Sequence, residues 1–460
     1  MESEYFREYK AKTAGKADAR AAEKARAMQN ALSRNKGQAD APKDFDWVEK
    51  NIPCQAACPA HTDIPGYLAA IADGDFEKAY RINLEDNVFP AVLGRVCTRP
   101  CEPACRHGWE GLGEPVAICF SKRSAADFLK RTEPIVVEPH FPKSGKRVAV
   151  VGAGVAGLAA ARELARCGHQ VVVHEKYAKP GGMMVQGIPR FRLPREMVDR
   201  EIEQVRRAGV EIRCGTEVGK AELAQLVDGN DAVIIAAGTM KPNGSTVPGS
   251  DLRGVRHGLD FLREANETGT AHVGRHVVVI GGGFTAVDCA RMAKRLGAES
   301  VRMCYRRSEK EMYITPGEVE EMLHEDIAFE TLSAPREYAG RDGAVTAVRL
   351  AKTELGEAGP DGRRGFRDVP GTEYEVQADT VLLGIGQSPD RSWLDPELEK
   401  GGKLFVAGDF ETGARSLIDA IGHAKACARR VDAFLSGRDR FKNVVRIEDA
   451  GETGRTREMD

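Results

Sequence analysis

Hydrophobic and polar positions change their pattern three times along the chain. Up to about Lys50 the sequence is dense in Ala, Lys, Arg and Glu with few large apolar residues, which predicts one or two solvated helices followed by the linker Gly37–Lys43. A charged arm (1–50) lying on the body is the plain reading, and a docking arm for a partner subunit is the alternative. From 51 to 140 apolar residues recur at helical spacing, with Tyr67, Leu68, Ile71, Phe76, Ala79 and Tyr80 on one side. The Pro-containing link Pro134–Lys146 follows. Beyond it, short all-apolar runs alternate with amphipathic stretches: Arg147–Val151, Ala232–Ala236, His276–Ile280, Thr380–Leu383 and Leu404–Ala407. Runs of this kind predict buried parallel strands joined by right-handed helical crossovers. Thr380–Leu383 and Leu404–Ala407 resemble the strands of the first unit. The expected organisation is therefore a nucleotide-binding domain over 145–255 and 376–436, interrupted by a second one over 256–375. The polar stretch 437–460 predicts a loose tail.

Composition narrows the class. With 460 residues, 42% hydrophobic and 30% charged, the chain is expected to be globular with a large core. No apolar run approaches the roughly 18 residues that cross a bilayer, and the first thirty residues are too charged for a secretory signal, so a cytoplasmic protein is expected. Lys plus Arg (67) balance Asp plus Glu (69), which argues against a nucleic-acid binder. The 49 glycines against 6% aromatic residues suit many tight βα turns. Eleven cysteines are an odd number without an export signal, favouring metal ligation or buried thiols over disulfides.

Two glycine turns carry the first chemistry. Gly152-Ala153-Gly154-Val155-Ala156-Gly157 follows a strand and opens a helix, and Glu175 ends the next strand about twenty residues on. Gly152 permits the tight turn, Gly154 lets backbone amides reach a pyrophosphate, and Gly157 lets the helix pack on the sheet. The helix N-terminus offers N–H donors and partial positive charge to phosphate, and Glu175 can accept hydrogen bonds from an adenosine ribose. The second turn, Gly281-Gly282-Gly283-Phe284-Thr285-Ala286, puts Ala286 in the third small position, and its following strand ends in Arg306-Arg307. Arginines there suit a 2′-phosphate and favour NADPH over NAD, the alternative being arginines that merely cap a surface strand. Two such folds suggest one nucleotide held permanently and one exchanged, with hydride passing between a nicotinamide and a flavin.

The cysteines form a second constellation: Cys54 and Cys58, then Cys97, Cys101 and Cys105, with Cys119 beyond them. Pro59, Pro100 and Pro103 break helical continuity, so the thiols are expected on loops around a common centre. Converging thiolates point to an iron–sulfur cluster, or to zinc as the alternative, whose paired CxxC knuckles are absent. No CxxC motif exists for a redox-active disulfide, which disfavours a disulfide reductase. Cys167, Cys214, Cys289, Cys304 and Cys427 read as single buried thiols.

Together these stretches resemble the small (beta) subunit of NADPH-dependent glutamate synthase and its relatives. The likeness spans about Pro53 to Val431 and is carried by CPAHTDIPGYLAAIADGDFEKAY, NVFPAVLGRVCTRPCEPAC, VAVVGAGVAGLAAARELA, GGMMVQGIPRFRLP, VVVIGGGFTAVDCAR, MCYRRSEKEM, LLGIGQSPD and VAGDFETGARSLIDAIGHAKACA. It implies an α/β architecture of two Rossmann-like domains, one inserted in the other, preceded by an all-α iron–sulfur domain. By the resemblance Gly152, Gly154, Gly157 and Glu175 hold the adenosine end of FAD. Gly182, Met183, Ile188, Arg192 and Leu193 run beside the flavin, Gly408 and Asp409 meet its ribityl–phosphate part, and Ala414 and Ser416 lie near the ring. Gly281, Gly283, Ala286, Arg306 and Arg307 fall to the NADP or NAD site. Relatives carry extra cysteines before the position of Cys54 and a Glu or Gln where this chain has Lys122. One [4Fe–4S] cluster is therefore expected, drawing on Cys54, Cys58, Cys97, Cys101 and Cys105, with a second possible only through unusual ligands. Cys58, Cys97 and Cys101 are the firmest of these; Cys54 and Cys105 compete for the fourth place. The chemistry needs no acid–base residue. The implied role is an electron-transfer subunit with a redox partner: a glutamate synthase large subunit, a ferredoxin, or a tungsten, molybdenum or hydrogenase-type complex. A scaffold that keeps flavin without turning over is the alternative from another class.

Overall fold

A computed structural model describes residues 52–108, 113–131, 133–359, 364–446 and 456–459, so the expected arm and its linker lie outside the described residues. The chain divides into two compact units. One contains Gln186–Arg190 and Lys241–Ser388; the other contains the described residues up to Val185, Phe191–Met240 and everything from Pro389 onward.

The second of these units begins with five helices: α1 (Pro53–Ala57), α2 (Ile64–Ala72), α3 (Phe76–Asn87), α4 (Pro90–Val96) and α5 (Ile118–Asp127). Proline opens α1 and α4 in the first turn, where its missing N–H costs nothing, and the side chains of Asp63 and Asp75 cap α2 and α3. Helices α4 and α5 pack backbone to backbone at Gly94, where a β-carbon would come within 2.7 Å of the Arg123 Cα. The same unit then forms a five-stranded parallel sheet in the order Leu404–Val406, β4 (Ala232–Ile235), β1 (Arg147–Val151), β2 (Gln170–Glu175), β3 (Val210–Cys214). It is covered by α6 (Val155–Arg166), α7 (Arg195–Arg207), α8 (Lys220–Gly229) and the long helix Leu417–Ser436. Strands β1 and β4 are apolar and buried on both faces, as parallel strands between helical layers must be.

The other unit holds a second five-stranded parallel sheet in the order β5 (Val255–His257), Thr380–Leu383, β6 (His276–Ile280), β7 (Ser300–Tyr305), β8 (Ala328–Thr331). Helices α9 (Gly258–Thr268), α10 (Phe284–Arg295) and α11 (Glu318–His324) accompany it, and an antiparallel sheet is built on β9 (Ser333–Arg341), β10 (Ala344–Ala358), β11 (Arg364–Asp368) and β12 (Tyr374–Gln377).

Two expectations are corrected here. Thr380–Leu383 does not return to the first sheet: it lies between β5 and β6, with Val381 opposite Val278. A four-residue run buried on every side carries no periodicity that names its sheet. Nor is the C-terminal stretch wholly loose. Phe441–Arg446 pairs antiparallel with Thr456–Met459, and Phe441 is buried against Phe141 with ring centroids 5.6 Å apart. Arg440 anchors the approach to that strand by donating to Asp432. Among the described residues no helix is long and apolar enough to cross a membrane.

Candidate functional site

The first glycine turn lies where β1 gives way to α6, with Gly154 in the N-cap position. Gly152 has φ +104°, a conformation that costs glycine little, and its N–H donates to the His174 carbonyl. A β-carbon on Gly157 would stand 1.9 Å from the Gly152 oxygen, so only glycine lets the helix come this close. Glu175 ends β2 as expected and is buried; its carboxylate accepts from Ala153 N at 2.7 Å and Tyr177 N at 2.9 Å. Gly182 (φ +51°) lies against Gly154, and a β-carbon there would meet Gly154 Cα at 2.8 Å, so the two backbones form a narrow cradle. Such a cradle fits a pyrophosphate at a helix N-terminus.

The remaining residues expected beside the flavin are distributed as follows. Met183 opens a single helical turn, Arg192 is half-buried and Leu193 is fully buried in the same unit as the cradle. Ile188 belongs to the other unit, where its carbonyl accepts from the Asn266 amide. Gly408 (φ +66°) donates its N–H to His423 Nδ1 at 2.9 Å, and Asp409 opens the turn Asp409–Thr412. Burial, followed by the nearby charge of Asp419, pushes the Asp409 carboxyl up to about 7. Its Oδ1 is buried without a hydrogen-bond partner among the described residues, which suits a ligand hydroxyl. Ala414 is exposed, and Ser416 caps the long helix through Asp419. The cradle and the orphaned Asp409 oxygen fit FAD.

The second turn repeats the plan in the other unit. Gly283 takes the N-cap position of α10, Gly281 (φ +148°) donates to the Cys304 carbonyl, and Ala286 is fully buried. Arg306 and Arg307 follow β7 and both lie over the Phe366 ring, at 4.6 and 5.8 Å from its centroid. Arg307 also donates to the Arg364 carbonyl. Among the described residues neither arginine forms an ion pair with a carboxylate, and the two guanidinium groups lie side by side over one ring.

The helical region gathers the thiols. Cys58, Cys97, Cys101, Cys105 and Cys119 are buried and Cys54 is half-buried. Cys97 follows α4, Cys101 and Cys105 lie on the next loop, and Cys119 sits in the first turn of α5. The Cys119 thiol donates to the Leu93 carbonyl at 3.5 Å, and the Cys97 sulfur accepts from the Arg99 N–H at 3.4 Å. Lys122, one helical turn beyond Cys119, is buried and donates to Asn87 Oδ1 at 3.4 Å. Burial by itself would lower the Lys122 ammonium, but the thiols Cys119, Cys97, Cys58 and Cys101, in that order, outweigh it and hold it well above its ordinary value. The Cys54 thiol is pushed up to about 11 by burial and then by Cys105. Among the described residues no three His, Cys, Asp or Glu side chains gather tightly enough to hold a single metal ion. The donor set, several buried thiols from three segments, is that of an iron–sulfur cluster, whose ligands each bind a different iron. Of the cysteines expected to be buried and single, Cys167, Cys289, Cys304 and Cys427 are buried, but Cys214, at the end of β3, is only half-buried.

The attachment of this thiol region to the flavin-binding sheet was not legible beforehand. Glu201 of α7 is fully buried and accepts from Tyr80 Oη at 2.7 Å, Ala91 N at 2.6 Å and Val92 N at 3.1 Å, capping the helix that delivers Cys97. Buried Arg162 of α6 donates to the Leu84 carbonyl at 2.7 Å, and Lys425 of the long helix donates to Asp86 Oδ1 at 2.9 Å. The long helix abuts the residue after Cys58: a β-carbon on Gly422 would lie 2.4 Å from the Pro59 oxygen. The only sequence signal was charged residues at otherwise apolar helix positions.

Comparison with known proteins agrees with this geometry. Residues 146–431 match the family described as pyridine nucleotide-disulphide oxidoreductase, and residues 22–134 the family described as dihydropyrimidine dehydrogenase domain II, 4Fe-4S cluster. The chain is 37% identical over 446 residues to the NADP(+)-dependent formate dehydrogenase subunit beta of Moorella thermoacetica, covering 87% of this chain and 63% of that one. It thus spans a little under two thirds of that relative's length. It is 35% identical over 441 residues to the glutamate synthase [NADPH] small chain of Azospirillum brasilense, covering 86% of this chain and 89% of that one. Mycobacterium tuberculosis FprA in complex with NADPH shares the fold, with TM-score 0.56 and 19% identity over 64% of this chain and 85% of that one. The cofactors that accompany these two domains are FAD, a pyridine nucleotide and a 4Fe–4S cluster. The chain belongs to the pyridine nucleotide-disulphide oxidoreductase family, in the branch of the glutamate synthase small chains that carries an N-terminal 4Fe–4S domain.

Proposed function

We propose that the chain is the electron-transfer subunit of a larger redox complex, taking hydride from NADPH and delivering single electrons to a partner subunit in the cytoplasm. When bound, FAD and the iron–sulfur cluster supply the conversion of a two-electron hydride into single electrons. The protein's own residues bind, orient and exclude water. Gly152, Gly154 and Gly182 cradle the FAD pyrophosphate, Glu175 takes the adenosine ribose, and Asp409 takes a ribityl hydroxyl. Gly281 and Gly283 leave the α10 N-terminus open to the second nucleotide, and Arg306 and Arg307 hold its 2′-phosphate.

The observation that carries this reading is the long helix Leu417–Ser436. It starts beside Asp409 and Ser416 and, at Gly422, lies against the backbone of Pro59, the neighbour of Cys58. With Glu201 and Arg162 it fixes the thiol region to the flavin-binding sheet, so the distance an electron crosses is set by the fold. Relatives named as formate dehydrogenase and NADPH-Fe(3+) oxidoreductase subunits favour a partner that exchanges electrons with a separate substrate centre.

The test is anaerobic purification with a dye-reduction assay. The protein should be yellow-brown, contain FAD and iron, and reduce an artificial dye with NADPH faster than with NADH. Bound flavin with no dye reduction would favour the scaffold reading; neither flavin nor iron would end both.

A further inference from the structure

We propose that Cys119 is the fourth thiolate ligand of a single [4Fe–4S] cluster whose other ligands are Cys58, Cys97 and Cys101, the place for which Cys54 and Cys105 were the expected competitors. This rests on the reading above that the thiol region holds a cluster, and adds which residues hold it.

Three structural facts place Cys119 in the set. Its helix is packed on α4 as closely as two backbones allow, at Gly94 against Arg123, which brings the start of α5 beside Cys97 at the end of α4. Its N–H donates to Glu102 Oε1 at 2.9 Å, so the loop that carries Cys101 is tied to the Cys119 backbone. Cys119 is 1% exposed, and its thiol donates to the Leu93 carbonyl at 3.5 Å, on the helix that ends at Cys97. Lys122, one turn beyond Cys119, links the arrangement to Cys58: it donates to Asn87 Oδ1 at 3.4 Å, Asn87 donates to Thr62 Oγ1 at 2.9 Å, and the Thr62 hydroxyl lies 3.5 Å from the Cys58 thiol. Cys54, by contrast, is only half-buried.

Position along α5 explains the choice. Residues three apart on a helix share a face, so a ligand at 119 reaches the same space as one at 122. Lys122 is a cation and cannot donate to iron; the thiol one turn earlier can. As each S–Fe bond forms, the thiol gives up its proton, and the finished cluster with four thiolates carries net negative charge. That charge would sit among Ile64, Tyr67, Ala70 and Ile118, an apolar setting that disfavours it. The Lys122 ammonium, anchored through Asn87 to Thr62 and so beside Cys58, offsets it at short range.

The test uses the full-length chain prepared without oxygen, reading iron, acid-labile sulfide and the EPR spectrum of the dithionite-reduced protein. The unaltered chain should hold about four irons, as one [4Fe–4S] cluster requires. Cys119→Ala should lose them as Cys97→Ala does, while Cys54→Ala and Cys105→Ala keep them. Cys119→Ser, which offers an oxygen donor, should keep a cluster with a shifted EPR signal. FAD content and circular dichroism report folding, and where Cys119→Ala fails to fold, the serine variant decides. Full iron with an unchanged spectrum in either Cys119 variant, or loss of the cluster in Cys54→Ala or Cys105→Ala, overturns the assignment. Absence of iron from the unaltered chain overturns the function proposed above as well.

Discussion

The two glycine turns share one plan and solve the same packing problem in opposite ways. In the first, the helix contributes glycine, Gly157, and the strand end facing it contributes a methyl, Ala236, 3.4 Å from where a Gly157 β-carbon would lie. In the second, the helix contributes the methyl, Ala286, and the strand end contributes glycine, Gly384; a β-carbon there would come 2.8 Å from the Ala286 methyl. The obstacles differ too: the Gly152 oxygen keeps residue 157 to glycine, whereas both the methyl and the backbone of Ala286 keep residue 384 to glycine. The ends of the second strands differ for another reason. Glu175 is buried and bound to backbone N–H groups, whereas Arg306 and Arg307 stack on Phe366 toward solvent. A permanently held nucleotide can be met by a buried acceptor; an exchanging one is better met by accessible charge.

The strongest way to break this comparison is Gly157→Ala, whose methyl would overlap the Gly152 oxygen. It should cost about 3 kcal/mol or more and yield protein without FAD, checked by absorbance after gel filtration. Gly384→Ala should cost about 2 kcal/mol, and adding Ala286→Gly should restore only part of it, because the residue 286 backbone stays 2.9 to 3.0 Å from the new β-carbon; denaturant melts of the single and double variants separate the methyl's share from the backbone's. Arg306→Ala and Arg307→Ala should each raise the KM for NADPH about tenfold, roughly 1.4 kcal/mol, while leaving that for NADH unchanged, read by steady-state dye reduction. Equal effects on both nucleotides would mean the arginines only cap the strand. A pH effect concerns Asp409, raised in the folded chain to about 7 by burial and Asp419 against a backbone bond from Arg415. Its folded state holds a proton that the unfolded chain releases, so its contribution to stability is fully present below about pH 4 and is lost as pH rises through about 7, by up to about 1.4 kcal/mol per pH unit. Asp409→Asn should flatten the slope of melting temperature against pH over that window, leaving the part due to Glu201, also raised to about 7 by burial.

Local chemistry was legible wherever one short segment carried it. The strand, the GxGxxG turn, the helix and the acid at Glu175 appear within twenty-nine residues, and the structure places them in that strand–turn–helix–strand order. The thiols were legible as a group but not as a ligand set, because their partners lie on three segments brought together by Gly94 and Glu102. Thr380–Leu383 was assigned to the wrong sheet because apolar strands look alike, and register with β6 is a long-range matter. The C-terminal strand escaped notice because its anchor is one buried ring, Phe441.

Sequence alone determined the two dinucleotide turns, their opposite charges and the presence of a thiol centre, because turn geometry and phosphate recognition depend on residues within one βα unit. Tertiary structure decided which sheet each returning strand joins, how Glu201, Arg162 and Lys425 lock the thiol helices to the flavin-binding sheet, and that Lys122 is buried among four cysteines. Those outcomes depend on burial and charge contributed by residues far apart in the chain, and a buried charge discloses its partner only when the chain has folded around both.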